Sequence, residues 1–353
     1  MSLALSGRIA VFKTAAARAV GLGGKCDHLP AGTPIRAGNR SSVPPAFFVP
    51  EQLNRVTHCP FGSSVEAELK KMTATTAISR PPKTISFENA HVFGGQIFAN
   101  GKRYLVSDTS PYGAMTGPVR QFDEITLAQS HTGSTVFGHW LTDDCALREF
   151  PGMEQQSIAI PRPAWADRIP YERLFQQSWD EIPAFAAKRL NLLEELGFSQ
   201  DKAARHTRLR KRLRLHAHKP SNPGGVFYLI RGSTGNIRHM ANETELIARL
   251  ETAGVSAIQC ESGIETMLKR CLDARLIIGI EGSQLAHAIY MLGAGGAVMA
   301  IQPPDRFCSA HHDWSRFLGM RYGTVVGHQV DDNWIAQPDE VIQMINILMQ
   351  ATD

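Results

Sequence analysis

From residue 225 onward, short apolar runs alternate with amphipathic stretches of about ten residues, and this alternation restricts the fold more than any other feature of the chain. Val226-Phe227-Tyr228-Leu229-Ile230 predicts a strand. Asn242, followed three residues later by Glu245 and then by Leu246, Ile247 and Leu250, predicts a helix opened by a capping box. Gly254 ends that helix, and residues 255–259 read as the next strand. Ser262 predicts the cap of a second helix running to Leu272, and residues 275–280 a third strand. Glu281-Gly282-Ser283 then turns into a helix over 284–292, and residues 297–302 form a fourth strand. Strands separated by helices of this length join through right-handed crossovers into an open parallel sheet, so the C-terminal half is α/β.

Pro220-Ser221-Asn222-Pro223-Gly224-Gly225 is the strongest break in the sequence, and 353 residues suit two domains at ~100–200 residues each. The predicted division is an extension at 1–45, an N-terminal domain at 46–200, a basic interdomain segment at 201–224 and a C-terminal domain at 225–353. In the N-terminal half, apolar residues alternate from 86 to 108 around Asn100-Gly101, a dipeptide suited to a tight hairpin. Residues 133–150 carry a helical pattern, and 174–198 predict a further helix built on Leu190, Leu192, Leu193 and Leu196. The extension is rich in Ala, Gly and Arg; it reads as poorly ordered, or as a basic helix near residues 6–20 resting on an anionic membrane surface. No run of eighteen apolar residues is present, and the six cysteines have no zinc-ligand spacing and read as reduced, cytosolic thiols. The net charge of +4 is local: Lys202 to Lys219 holds eight Lys/Arg and no acid, which leaves −4 for the rest of the chain. No Phe, Tyr or Trp is interleaved among those cations, which argues against a nucleic-acid partner.

Ligands of open parallel sheets bind beyond the carboxyl ends of the strands. Two predicted loops lie there. Arg231-Gly232-Ser233-Thr234-Gly235-Asn236-Ile237-Arg238 offers two guanidinium groups and close backbone approach to a diphosphate, unless an arginine is taken by an acid such as Glu243. Glu281-Gly282-Ser283-Gln284 offers an anion-favouring turn and a carboxylate for sugar or ribose hydroxyls, or else an exposed loop acid. In the first half, helical spacing brings His139 and Asp143 onto one face, an arrangement that suits a general base and its orienter as well as a packed histidine beside Trp140. Gly293-Ala294-Gly295-Gly296-Ala297 follows a helix and precedes a strand, the reverse of a dinucleotide fingerprint. His216/His218 and His311-His312-Asp313 lack remote partners for a metal, and neither a phosphate-binding G-x-x-x-x-G-K-[ST] loop nor a G-x-S-x-G elbow is present.

Taken in order, these segments resemble glycosyltransferase family 61, the group that includes bacterial capsular-polysaccharide enzymes. The matching blocks are Phe137-Gly138-His139-Trp140-Leu141, the strand ending in Arg231, then Arg238, Asn242-Glu243-Thr244-Glu245-Leu246, the run from Ile278 to Leu285 and the stretch from Gly293 to Ile301. Two departures stand out. Glu281 occupies a position where the family usually has His, and the nearest match to its Pro-Arg step is Leu147-Arg148-Glu149-Phe150-Pro151.

The resemblance implies two Rossmann-like domains facing a cleft, the GT-B type, with an acceptor-side N-terminal domain and a nucleotide-sugar-binding C-terminal domain. It further implies inverting, metal-independent sugar transfer, without a cofactor, from a nucleotide-sugar donor to a glycan or lipid-linked acceptor in capsular or envelope polysaccharide synthesis. His139 would be the base, Asp143 its orienter and Asp144 the reserve; Arg231, Arg238, Glu281, Gly282, Ser283 and Gln284 would hold the donor. The expected location is the cytoplasm, with contact at the inner membrane and assembly into a homo-oligomer left open. Glu281 keeps a second reading in view, a non-catalytic glycan-binding or assembly protein on the same scaffold.

Overall fold

The computed structural model describes residues 7–13, 16, 26–153, 157–232 and 238–352. They form two compact units, each assembled from separated stretches of chain. The first draws on 1–39, 80–165 and 177–196, the second on 40–79, 166–176 and 197–353. Part of the expected extension is thereby built into the fold. Residues 7–13 are helical with Val11 buried, β1 (Thr33–Pro34) pairs with the first-unit sheet, and β2 (Arg40–Ser42) pairs with β3 (Thr76–Ile78) in the second unit. Of the expected 6–20 helix, residues 6, 14, 15 and 17–20 lie outside the described residues.

The first unit departs from the expectation of a Rossmann-like half. Its sheet is mixed and comprises β4 (Lys83–Phe93), β5 (Gln96–Ala99), β6 (Lys102–Leu105), β7 (Arg120–Leu127), β8 (Ser157–Ile158) and β9 (Ala184–Glu194). The order is β6-β5-β4-β9-β7-β8, with β1 also on β4. β4 is antiparallel to β5 and β9, and β5 to β6, whereas β7 runs parallel to β8 and β9. Turn length dictates the β4-β5-β6 part, because a two-residue connection can only reverse the chain. Asn100 and Gly101 make the expected hairpin turn, at φ 51° and 72°.

The leucine-rich stretch expected as a helix is strand β9. It lies between β4 and β7, and its apolar side chains are buried while Lys188 and Arg189 at its middle are exposed. Phe185, Ala187, Leu190 and Leu192 pack with Ile85, Phe87, Ile97 and Ile125, while Leu193 points the other way onto Leu147 and Phe150. Where a strand is buried on both faces, as at residues 184–187, alternation gives way to a continuous apolar run. The helices are instead Arg168–Phe175 and Gln200–His216.

The second unit carries the parallel sheet expected of the C-terminal half: β10 (Val226–Ile230), β11 (Ser256–Gln259), β12 (Ala274–Ile280), β13 (Leu292–Gln302) and β14 (Arg321–Val326). Their order, β11-β10-β12-β13-β14, reverses direction between β10 and β12. Tyr228, Leu246, Leu250, Ile278, Met299, Val325 and Leu348 are buried in its core. Two caps differ from expectation. The Asn242 amide donates to the Ala336 carbonyl at 2.8 Å and its oxygen accepts from the Ala336 N–H at 3.1 Å, so it ties the helix start to a distant strand end. Helix Ile264–Cys271 is capped by Asp167, which accepts from the Ile264 N–H at 2.8 Å, and Ser262 instead donates to the Gln259 carbonyl. A short hairpin, β15 (His328–Val330) with β16 (Asn333–Ile335), follows β14.

The basic segment expected between domains is largely helix Gln200–His216, a part of the second unit. Ser199 caps its start, and its arginines act as internal anchors. Arg210 donates to the carbonyls of Ile289 and Leu292, Arg214 pairs with Asp273 at 2.8 Å, and Arg212 donates to the Phe175 carbonyl at 2.9 Å. Arg210 and Arg214 thereby satisfy carbonyls at the end of the turn closing at Met291, and Arg212 one at the end of helix Arg168–Phe175, where positive charge is favoured. Burial and the neighbouring Arg214 push the Arg210 pKa down to about 10. Among the described residues no helix is long and apolar enough to cross a membrane.

Helix Val65–Thr73 is fastened to the same unit by Glu68, whose buried carboxylate accepts from the Ser309 N–H at 2.9 Å and from the hydroxyls of Ser309 and Ser63. Burial alone would raise its pKa, but Lys71 and the two serines outweigh that and hold it below the ordinary value. A depressed carboxylate stabilises the fold above its unfolded pKa and loses that contribution as pH falls through the folded one. Glu68→Gln is therefore expected to cost about 1–3 kcal/mol at neutral pH. The deficit should shrink below roughly pH 4.3. Thermal unfolding of both proteins across pH checks this; equal stability at neutral pH would refute it.

Candidate functional site

His139 stands in a helical run that changes pitch. Phe137–His139 is α-helical, Trp140–Asp144 forms a π turn, and Cys145–Arg148 returns to α. Such single-turn widenings recur at functional sites. The first unit thus brings His139 and Asp143 together as expected, with Nδ1 2.8 Å from the Asp143 carboxylate. An ionised carboxylate only accepts, so it assigns the proton to Nδ1 and leaves the lone pair on Nε2. The His139 side chain is 44% exposed and that of Asp143 16%, so the ring reaches solvent while its partner is held. Phe137 and Trp140 on the same helical run form an aromatic cluster with Trp165, with centroids 5.7–6.1 Å apart.

Asp144, the reserve candidate, has a different setting one residue on. It is fully buried, pairs with Arg162 at 3.0 Å and accepts from the Ser130 N–H and hydroxyl at 2.9 and 2.8 Å. Shut away from any substrate, it anchors the helix that carries His139. Arg162 also reaches Glu181 at 3.4 Å and lies over Trp179 at 4.3 Å. Nothing local in sequence ties Arg162 to Asp144.

In the second unit, Arg231, Arg238 and Glu281 meet at the carboxyl ends of β10 and β12, where the strand order reverses, the place where open parallel sheets bind ligands. Arg231 donates to the Glu281 carbonyl and to the Gln284 side chain, both at 3.3 Å. Arg238 donates to the same carbonyl, and to the Glu281 carboxylate at 2.5 Å. Glu281 is only 6% exposed and faces the arginines, rather than serving as an exposed loop acid. The rival partner, Glu243, accepts from the Tyr228 hydroxyl at 2.8 Å. Gly282 makes the convergence feasible: a Cβ there would sit 2.0 Å from an Arg231 nitrogen and 2.6 Å from one of Arg238. Burial pushes both guanidinium pKa values below their ordinary range, with mutual repulsion adding to it at Arg231. Gln284 is buried and positions Arg231, whereas Ser283 is partly exposed. Residues 233–237 of the arginine loop lie outside the described residues.

Two further residues went unrecognised in sequence. Arg306, just past β13, places its Nε 3.7 Å from the Glu281 carboxylate and adds a third cation. His311 donates from Nε2 to the Gly282 carbonyl at 3.1 Å and accepts from the Trp314 indole at 3.1 Å, which fixes both tautomer and loop. Neither follows from local spacing, since both reach the site from the segment after β13, one whole strand beyond the Glu281 turn. Among the described residues no group of three or more His, Cys, Asp or Glu is arranged to hold a metal ion.

Comparison with curated proteins gives no match. The family model of glycosyltransferase 61 matches residues 137–297, a span that opens on Phe137 and takes in His139, Asp143, Arg231, Arg238 and Glu281, and the match supports membership of the chain in that family of glycosyltransferases.

Proposed function

We propose that the chain is an inverting, metal-independent glycosyltransferase that moves a sugar from a nucleotide-sugar to a glycan or lipid-linked acceptor in the making of a capsular or envelope polysaccharide, in the cytoplasm. One observation carries this reading: three arginines gathered at the reversal point of a parallel sheet around a single carboxylate. The excess positive charge suits a diphosphate, which guanidinium groups bind through paired, charge-assisted hydrogen bonds. In the proposed reaction, His139 Nε2 takes the proton of the acceptor hydroxyl as that oxygen attacks the anomeric carbon. The bond from that carbon to the diphosphate oxygen breaks on the opposite side, which inverts configuration. The departing diphosphate leaves with its charge met by Arg231 and Arg238, and Asp143 stabilises the imidazolium that forms.

Isothermal titration of the full chain with uridine, guanosine and cytidine diphosphates tests the donor half. At least one should bind, and Arg231→Ala should weaken it by roughly 1.5–3 kcal/mol, the usual loss of a hydrogen bond to a charged group. No affinity for any of the three would defeat the reading. Binding without sugar transfer, across donor and acceptor panels, would favour a non-catalytic glycan-binding protein. Transfer abolished by a chelator and restored by a divalent cation would overturn metal independence.

A further inference from the structure

Beside the arginine cluster, the second unit holds a cavity of about 390 Å³ whose lining includes His58, Arg238, Arg306, Asp332, Asn333 and Trp334. Arg238 and Arg306 therefore face two ways, toward Glu281 and into this cavity. Arg306 Nε is buried and, among the described residues, has no hydrogen-bond partner. The Arg306 guanidinium also lies 5.3 Å from the ring centre of Phe61. Phe61 is 83% exposed and sits at φ 61°, a left-handed conformation that bulky side chains rarely adopt. Strain of that kind, on an aromatic held out into solvent, concentrates at ligand sites. The strap that carries His58 and Phe61 is tied to the segment after β13: Thr57 N–H donates to the Pro304 carbonyl at 2.8 Å, and Phe307 N–H to that of His58 at 2.9 Å.

From this geometry we infer that the cavity is the nucleoside subsite of the donor and that Arg306 is a third phosphate ligand at its mouth. The inference rests on the reading of the arginine cluster as a diphosphate site. A diphosphate held by Arg238 and Arg306 carries its nucleoside into the adjoining cavity, whose volume falls within the ~300–1,000 Å³ usual for small-molecule sites. The lining suits that chemistry. The Asp332 carboxylate accepts the hydroxyls of a ribose, the Asn333 amide pairs a donor and an acceptor with a base edge, and Trp334 closes an apolar wall. Asp332 and Asn333 belong to the tip of the hairpin after β14 and are exposed, so their replacement leaves the core untouched.

The test is titration of the full chain with inorganic pyrophosphate and with the tightest of the three nucleoside diphosphates. The native protein should prefer the nucleotide by about tenfold or more, the effect of one or two good hydrogen bonds. Asp332→Ala and Asn333→Ala should each remove about tenfold of nucleotide affinity while pyrophosphate binding is kept, which also reports an intact fold. Arg306→Ala should weaken both ligands. Nucleotide affinity unchanged in the two hairpin variants would overturn the subsite and leave the donor site standing. Absence of binding by pyrophosphate and by every nucleotide would overturn both.

Discussion

Arg162→Ala is expected to destabilise the first unit by roughly 3–5 kcal/mol, the usual result of removing one partner from a buried ion pair. The side chains of Arg162 and Asp144 are both inaccessible to solvent, and the substitution would strand the carboxylate with only the two hydrogen bonds from Ser130. It also removes the guanidinium from the face of Trp179. Urea unfolding followed by tryptophan fluorescence measures the loss, since Trp140, Trp165 and Trp179 all lie in this unit. The double substitution Arg162→Met with Asp144→Leu should recover much of the deficit, because an apolar pair of similar volume avoids the uncompensated charge. A single variant as stable as the native protein would show that the pair is not what anchors the helix.

His139→Ala is expected to lower turnover by about 10²–10⁴-fold, the range for loss of a general base, with nucleotide diphosphate affinity unchanged. The two readings separate cleanly, because Arg231→Ala should damage binding where His139→Ala damages the chemical step. Asp143→Asn should fall between native and His139→Ala. An amide can donate to Nδ1 or accept from it, and the tautomer that keeps the lone pair on Nε2 is no longer enforced. Full activity in the His139 variant would remove it from the mechanism, and Asp143 with it.

Much of the second unit was legible because its signals are local. The strand at Val226–Ile230, the start of the helix after Asn242 and the turn at Gly282 each announce themselves within a few residues, and the arginines at 231 and 238 follow from knowing where strands end. The hairpin at Asn100-Gly101 is of the same kind. β9 was not legible, because the strands that pair with its two edges, β4 and β7, are distant in sequence. The same distance hid Arg162, eighteen residues from its carboxylate, and Asp167, ninety-seven residues from the helix it caps. The basic helix misled for a related reason. Charge on a sequence suggests a surface partner, yet Arg210 and Arg214 are consumed by carbonyls more than seventy residues away.

The patchwork origin of the two units has a consequence for synthesis. A chain emerging from its N-terminus delivers residues 40–79 and 166–176 long before the sheet of the second unit exists. Met72 and Tyr171, both fully buried in the finished fold, must wait without their surroundings, as must Asp167 without the helix it caps. The first unit has all its material by residue 196, whereas the second cannot close until its last strands and final helix Pro338–Ala351 arrive. Production of residues 225–353 alone would omit helix Val65–Thr73 and the Ser63–Glu68–Ser309 fastening, as well as the basic helix that caps the turn at Met291. The second unit is thus assembled late, from stretches spread along the chain, and not from its C-terminal third alone.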